Sequence, residues 1–134
     1  MSSQKTIHNA LVIDDYFIIR HNHRLLLQKV GFVVTEAGSG HEALKILEDK
    51  GSEFFSLIIL DLMMPVMSGE EFLNTIKTMF EGRLPKILVC TSTADLPVVK
   101  KMAEAGIDGY LVKPVDYKAL IKKLYSMFPD LAPA

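Results

Sequence analysis

The sequence predicts an α/β fold in which a parallel five-stranded sheet is covered by helices on both sides. Five short apolar runs, rich in β-branched residues and without polar alternation, resemble strands that are buried on both faces. Segments with apolar residues at helical spacing separate these runs. Such alternation is typical of parallel sheets with right-handed crossovers, and five strands favour the flavodoxin-like order 2-1-3-4-5.

The predicted strands are residues 10–13, 32–34, 57–60, 87–90 and 110–112. Three of the intervening helices begin at a residue able to cap them, namely Ser39, Ser68 and Asp116. Glu42 and Glu71 follow the two serines at capping-box spacing. Gly31 and Gly106 lie where the first and fourth helices should end. The residues that start and stop helices therefore agree with the helices that the apolar spacing predicts.

The length of 134 residues is enough for one domain with a real core, but not comfortably for two. We expect this domain to span residues 9–128. A polar extension, residues 1–8, precedes it, and Pro129 ends the fifth helix and begins a short tail, residues 129–134.

The composition excludes several classes of function. A net charge of −1 gives no basic field, so we expect no nucleic-acid binding. No run approaches the roughly 20 apolar residues of a membrane helix, and the first nine residues lack the apolar stretch of a signal peptide. The single cysteine, Cys90, lies in an apolar run and cannot form an internal disulfide. We expect a cytoplasmic protein without a membrane partner.

Three carboxylates follow strands that the predicted order makes neighbours. Asp14 and Asp15 end the first strand and Asp61 ends the third, at the point where ligands bind in such sheets. The acids would repel one another without a cation, and Mg²⁺ suits oxygen ligands of this kind. A carboxylate can also act as a nucleophile toward phosphoryl groups, and we assign this role to Asp61. Thr91 and Lys113, at later strand ends, can stabilise a phosphoryl group.

The chain strongly resembles the receiver domain of response regulators in two-component and phosphorelay signalling, of the chemotaxis type. The likeness runs from about residue 9 to residue 128. The residues that carry it are LVIDD at 11–15, LIILDLMMP at 57–65 with SG at 68–69, CTS at 90–92 and GYLVKP at 109–114. Each motif alone is weak, but their order on predicted strand ends is highly specific.

The resemblance implies a role for each matching position. Asp61 would be the phosphoacceptor, while Asp14, Asp15 and the backbone carbonyl of Met63 would bind Mg²⁺ together with it. Thr91 and Lys113 would contact the phosphoryl oxygens. Two further features that the resemblance implies are a rotamer switch at Tyr110, coupled to Thr91, and a cis peptide bond between Lys113 and Pro114.

The resemblance also implies partners. The phosphoryl group would come from a phosphohistidine on a sensor histidine kinase or a histidine phosphotransfer protein. A downstream protein would bind the face built by the fourth helix, fifth strand and fifth helix. Since no output segment follows Phe128, we expect a stand-alone regulator or relay intermediate that acts as a switch and not as a turnover enzyme.

Two alternatives remain at this point. An aspartate-based, Mg²⁺-dependent phosphohydrolase combines similar residues, but it usually carries a second acid where this chain has Met63. A flavin- or nucleotide-binding module of the same fold would need glycines or hydroxyls after the first strand, where Asp14 and Asp15 offer like charge.

Two smaller expectations concern less specific positions. Met63 and Thr93 match positions that tune access of water to the acyl phosphate, and a bulky Met63 predicts slow self-dephosphorylation. His21 and His23, two residues apart on a helix, do not face one another and are expected to lie at the surface.

Overall fold

The computed structural model describes residues 6–92 and 95–133. The parallel strands are β1 (His8–Ile13), β2 (Phe32–Ala37), β3 (Leu57–Leu60), β4 (Lys86–Thr91) and β5 (Gly109–Val112). The helices are α1 (Phe17–Val30), α2 (Gly40–Lys50), α3 (Gly69–Phe80), α4 (Leu96–Glu104) and α5 (Tyr117–Met127), and short 3₁₀ turns span Ser52–Phe54 and Pro129–Leu131. The strand order is β2-β1-β3-β4-β5, which confirms the predicted fold class.

Alternate residues of the central strands supply two separate cores. Leu11 and Ile13 of β1 face the side covered by α2, α3 and α4, and that core includes Phe72 of α3. Ala10 and Val12 face the other side, where α1 and α5 pack. All four β1 residues are fully buried, because both faces of the strand are covered. Burial on both faces therefore fixes the positions of the residues at the carboxyl ends of the central strands.

The two edge strands differ from the expectation of burial on both faces. Val33 of β2 is exposed, and no residue of β5 is fully buried. β2 also continues to Ala37, beyond the predicted end at residue 34. Its later residues, Thr35 and Glu36, are polar and half-buried, since an edge strand keeps one side open to solvent. A prediction based on apolar runs ends the strand at residue 34, because the residues that follow are polar.

The predicted helix caps are present. Ser39 Oγ accepts a hydrogen bond from the Glu42 N–H over 3.1 Å, and Ser68 Oγ accepts one from the Glu71 N–H over the same distance. Asp116 accepts from the N–H of Lys118 at the start of α5. The caps satisfy donors that a helix start leaves free. The starts of α2, α3 and α5 are therefore fixed by the predicted side chains.

No helix within residues 6–92 and 95–133 is both long enough and apolar enough to cross a bilayer. The Cys90 thiol is 1% exposed in β4, and its burial raises its pKa to about 12. A thiol in this environment remains protonated at neutral pH.

Regular structure extends beyond residues 9–128 at both ends. His8, the last residue of the predicted extension, is the first residue of β1, and the segment after Met127 forms the turn Pro129–Leu131 on the core. His8 Nε2 lies 2.7 Å from Asp130 Oδ2, and its Nδ1 lies 3.1 Å from Ser56 Oγ. Residues 1–5 and 134 of the predicted extension and tail lie outside the described residues. The first strand and the last turn of the described residues are therefore joined through one buried imidazole.

The His8 contacts generate a prediction about stability. The ring packs between Phe32 and Phe128, at centroid distances of 5.9 and 4.9 Å. His8→Ala should lower the free energy of unfolding by about 2 kcal/mol, because it removes this packing and leaves the Ser56 hydroxyl without its partner. Urea unfolding measures the change. His41→Ala, at an exposed histidine, should change stability by less than about 0.5 kcal/mol, and equal losses in both variants would contradict the prediction.

Candidate metal and phosphoryl site

Three carboxylates meet beyond the carboxyl ends of β1 and β3. One carboxylate oxygen from each of Asp14, Asp15 and Asp61 lies within 4.8 Å of the others. Asp14 is 1% exposed and Asp61 is 3% exposed, whereas Asp15 is half-buried. Because β1 and β3 are neighbours in the sheet, the three acids converge although Asp15 and Asp61 are 46 positions apart in the sequence. The spacing places all three acids within reach of one cation.

Lys113 crosses from the end of β5 to these acids. Its Nζ donates a hydrogen bond to Asp14 Oδ2 over 2.6 Å and lies 3.5 Å from Asp61 Oδ2. Its backbone N–H donates to the carbonyl of Thr91 over 2.8 Å, which joins the ends of β4 and β5. One ammonium beside three carboxylates leaves a surplus of negative charge that attracts a cation.

Burial and charge act against each other on these groups. Burial raises the pKa of Asp61, and the charge of Asp14 adds to the effect, while the Met63 N–H and Lys113 oppose it. For Lys113, burial acts to lower the pKa, but the contacts with Asp14 and Asp61 outweigh it and the pKa is raised. Lys113 is therefore a stable cation, and the Asp61 carboxylate is an anion in need of further compensation.

Backbone donors fix two of the carboxylates and leave the third open. The Tyr16 N–H donates to Asp14 Oδ1 over 2.9 Å, and the Met63 N–H donates to Asp61 Oδ1 over 3.1 Å. Asp15 Oδ1 is buried and has no hydrogen-bond partner among the described residues. A buried unpaired oxygen is unfavourable, and a hard cation would satisfy it. The donor set of this pocket therefore fits Mg²⁺.

The Thr91 hydroxyl is the second unpaired group of the site. Thr91 ends β4 and is fully buried, and its Oγ1 has no partner within residues 6–92 and 95–133. A hydroxyl can donate one hydrogen bond to an oxygen that arrives in the pocket. The structure thus brings Thr91 to the same sheet edge as Asp61 and Lys113.

The start of α3 packs against the strand that carries Asp61. The Gly69 N–H donates to the Leu62 carbonyl over 3.0 Å. A Cβ at position 69 would clash with the Asp61 carbonyl oxygen and would lie 2.7 Å from the Leu62 Cα. Both contacts are with backbone that cannot move aside, so this position requires glycine. The sequence motif contained Gly69, but its contact with the Asp61 backbone is visible only in the fold.

The remaining predicted positions lie around this pocket. Tyr110 of β5 is half-buried, and burial, with the charge of Asp95 added, raises its pKa. The Lys113–Pro114 bond is cis. The Met63 side chain is 60% exposed beside Asp61. Thr93 lies outside the described residues.

The expectation that His23 lies at the surface was wrong. His23 is 3% exposed, and it lines a cavity of about 170 Å³ between α1 and the loop that carries Lys113 and Pro114. Its pKa is lowered by burial and by the charge of Lys113, while Asp14 opposes that change. His23 precedes the buried Leu27 of α1 by four residues, so the two side chains lie on the same face of the helix. That spacing is the signal that a pairwise test of histidines missed.

The model of the response regulator receiver domain family matches residues 10–125. The chain belongs to the response regulator receiver family. Receiver domains bind Mg²⁺ at an acidic pocket, and Asp14, Asp15 and Asp61 form such a pocket here. Receivers of the CheY type are signalling switches of two-component systems that interact with histidine kinases and downstream proteins.

The relatives of this receiver include chemotaxis proteins. CheY-3 of Vibrio cholerae is 34% identical over 122 residues, which are 90% of this chain and 92% of that protein. The structure of Vibrio cholerae CheY4 has a TM-score of 0.81 at 30% identity and covers 92% of this chain and 100% of its own. A receiver domain protein from Clostridium thermocellum also has a TM-score of 0.81, at 28% identity, and covers 92% of this chain and 95% of its own.

A match to an enzyme has a narrower meaning. A cyclic di-GMP phosphodiesterase of Thermotoga maritima is 35% identical over 117 residues, which are 86% of this chain. The matched part is 29% of that protein, so the likeness concerns one portion of it. It carries no phosphodiesterase activity over to this receiver.

The raised pKa of Asp61 predicts how stability responds to its removal. In the absence of divalent metal, Asp61→Asn should raise the free energy of unfolding at neutral pH by roughly 1 kcal/mol, because it removes a buried anion. A raised acid pKa means that the native state favours the protonated form. The gain should therefore shrink as the pH falls through that pKa, where the wild-type carboxyl becomes neutral.

Thermal unfolding in a chelator, followed against pH, measures this difference. Asp49→Asn, at an exposed acid of α2, is the matched control and should change little. Added Mg²⁺ should reverse the order, since the wild type would gain more from binding than the variant. A loss of stability in Asp61→Asn at neutral pH without metal would refute the assignment of Asp61 as an undercompensated anion.

Proposed function

We propose that this receiver accepts a phosphoryl group on Asp61 from a phosphohistidine of a sensor histidine kinase or histidine phosphotransfer protein. The observation that supports the proposal is the convergence of the Asp61 carboxylate, the Lys113 ammonium and the unpaired Thr91 hydroxyl at one sheet edge. These groups come from three different strand ends. No other cluster of three metal-ligating side chains occurs within residues 6–92 and 95–133.

The transfer is a displacement at phosphorus. An oxygen of the Asp61 carboxylate forms the new P–O bond while the P–N bond to the donor imidazole breaks, and the electron pair of that bond remains on the imidazole nitrogen. Asp61 Oδ1 is held by the Met63 N–H, which leaves Oδ2 as the attacking atom. Lys113 Nζ, 3.5 Å from Oδ2, and the Thr91 hydroxyl would stabilise charge on the phosphoryl oxygens.

Asp14, Asp15, Asp61 and the backbone carbonyl of Met63 would hold Mg²⁺. When bound, the ion supplies positive charge that neutralises the phosphoryl oxygens. The unpaired Asp15 Oδ1 is the protein atom most in need of such a partner. Lys113 already forms an ion pair with Asp14 Oδ2, so Asp14 serves both the lysine and the metal.

Phosphorylation would then change the surface built by α4, β5 and α5. Thr91 would donate its hydroxyl to the new group, and Tyr110, on the neighbouring strand, would change rotamer as Thr91 moves. The surface carries exposed lysines, namely Lys100, Lys101, Lys118 and Lys122. A downstream protein with an acidic docking segment fits this charge. Two arrangements whose balance shifts on phosphorylation are enough to produce a signal.

The role is that of a switch and not of a turnover enzyme. A phosphohydrolase of the aspartate class needs an acid near the nucleophile to protonate a leaving group, and Met63 occupies that position with an uncharged side chain. A flavin or nucleotide phosphate would meet the negative charge of Asp14 and Asp15. Neither rival agrees with the observed residues.

Phosphorylation by a small acyl phosphate tests the proposed acceptor. Incubation with Mg²⁺ and the donor should add the mass of one phosphoryl group to the wild type, as measured by intact mass. Asp61→Asn should show no addition, whereas the control Asp49→Asn should behave as the wild type. An equal adduct on Asp61→Asn would rule out Asp61 as the acceptor, and equal addition to the wild type without Mg²⁺ would rule out the metal requirement.

Met63 should slow the loss of the phosphoryl group. Its exposed side chain lies beside Asp61 and has no group that orients water. Met63→Asn should shorten the half-life of the phosphorylated protein about threefold to tenfold, less than the effect of a full general base. Met63→Leu, of similar size, is the control and should leave the half-life near that of the wild type. A half-life unchanged by the asparagine would refute this role.

A further inference from the structure

Arg20 joins the acidic loop to the edge of the sheet. Its Nη1 donates to the backbone carbonyl of Asp14 over 2.7 Å, and its Nε donates to Glu36 Oε1 over 2.9 Å. The Arg20 side chain is 16% exposed and Glu36 is 18% exposed, so the pair is mostly screened from water. One guanidinium thus contacts α1, β2 and the loop after β1 at once.

The peptide group that follows Asp14 determines where Asp15 points. The Asp14 N–H donates to the Ala37 carbonyl over 3.2 Å, and its carbonyl accepts from Arg20. Both sides of Asp14 are therefore fixed by hydrogen bonds to groups outside the loop. Since the Asp14 carbonyl belongs to the same peptide plane as the Asp15 N–H, the Arg20 contact sets the orientation of the Asp15 residue. That residue carries the buried unpaired oxygen of the pocket.

Glu36 is itself held in place. Arg24 Nη1 donates to Glu36 Oε2 over 2.8 Å, so the carboxylate is shared by two arginines one helical turn apart. Burial acts to raise the pKa of Glu36, but the hydrogen bonds and charges of Arg24 and Arg20 outweigh it and the pKa is lowered. Glu36 is therefore charged at neutral pH, and it fixes the guanidinium of Arg20. Arg24 supports Glu36, and no hydrogen bond or ion pair joins it to the acidic loop among the described residues.

We infer that Arg20 is a positioning residue for the divalent cation, because its contacts with Glu36 and the Asp14 carbonyl hold Asp15 in the orientation that binds the metal. The inference rests on the proposed Mg²⁺ site. Arg20 and Mg²⁺ are both positively charged, yet in this inference Arg20 supports the binding of Mg²⁺. Simple electrostatics gives the opposite expectation, since removal of a positive charge near the acids should strengthen the binding of Mg²⁺.

Titration of the unphosphorylated protein with Mg²⁺ distinguishes the two expectations. Amide chemical shifts of Asp14, Asp15 and Asp61 report binding without any chemistry. Arg20→Gln should weaken the affinity for Mg²⁺ about tenfold, the lower end of the effect for residues that orient metal ligands. An affinity equal to or tighter than that of the wild type would overturn the inference.

Arg24→Gln is the matched control. It removes the same charge from the same helix and breaks a contact with the same glutamate, but it leaves the Asp14 carbonyl bound. Its Mg²⁺ affinity should fall much less than that of Arg20→Gln, even where thermal unfolding shows similar losses of stability in both variants. Weakening of equal size in both variants would mean a general structural effect and would also overturn the inference.

Arg20→Lys tests the geometry with the charge retained. A single ammonium lacks the planar fork that reaches Glu36 and the carbonyl together, so we expect intermediate affinity. This variant decides the question if Arg20→Gln does not fold. Phosphorylation by the acyl phosphate gives a second readout, because saturating Mg²⁺ should restore its rate in Arg20→Gln, while a deficit that remains at saturation would contradict a role in metal positioning.

The outcome for the wild type separates this inference from the proposed function. If Mg²⁺ does not shift the amides of the acidic loop in the wild type, the metal site itself is refuted. If the wild type binds Mg²⁺ and Arg20→Gln binds it equally well, the site stands and only the role of Arg20 is refuted.

Discussion

The contact between Lys113 Nζ and the carboxylates of Asp14 and Asp61 determines the electrostatics of the whole crevice. The lysine and both acids are mostly buried, and each depends on the others for compensation. Removal of the lysine from such a set would leave the buried acids without compensation for the penalty of burial. The lysine side chain spans the ends of β1, β3 and β5, so the charges can balance only when the parallel sheet is correctly assembled. Fold and site therefore depend on the same interaction.

The two cores explain why the site can remain this incompletely satisfied. β1 and β3 are buried on both faces, and helices on either side press their side chains into two apolar clusters. Strand ends anchored in this way can hold unpaired groups such as Thr91 Oγ1 and Asp15 Oδ1 without collapse of the loop. Each unpaired group gains a favourable interaction when a ligand binds, and that gain contributes to the affinity for the ligand. A site of this kind is prepared for its ligands by the stability of its surroundings.

The sequence contained the features that depend on local pattern. Buried strands, capping serines and the acids at strand ends all leave a periodic or positional signal, and the neighbouring positions of Asp14 and Asp61 follow from the strand order. Contacts between distant segments leave no such signal. His8 with Asp130, and Arg20 with Glu36, are pairs of ordinary surface residue types that become partners only through packing. The burial of His23 follows from its place four residues before Leu27 on α1, which the spacing between two histidines does not reveal.

The position of Cys90 has a practical consequence. Its thiol lies inside β4 with a pKa of about 12, next to Thr91 but closed off from solvent. Maleimides and other thiol reagents attack the thiolate, so the folded protein should resist labelling at its one native cysteine. A cysteine introduced on the outer face of α4 or α5 would then react selectively, with no need to replace the native residue. Fluorescent or spin probes could report movement of that face while the acidic crevice keeps its natural sequence.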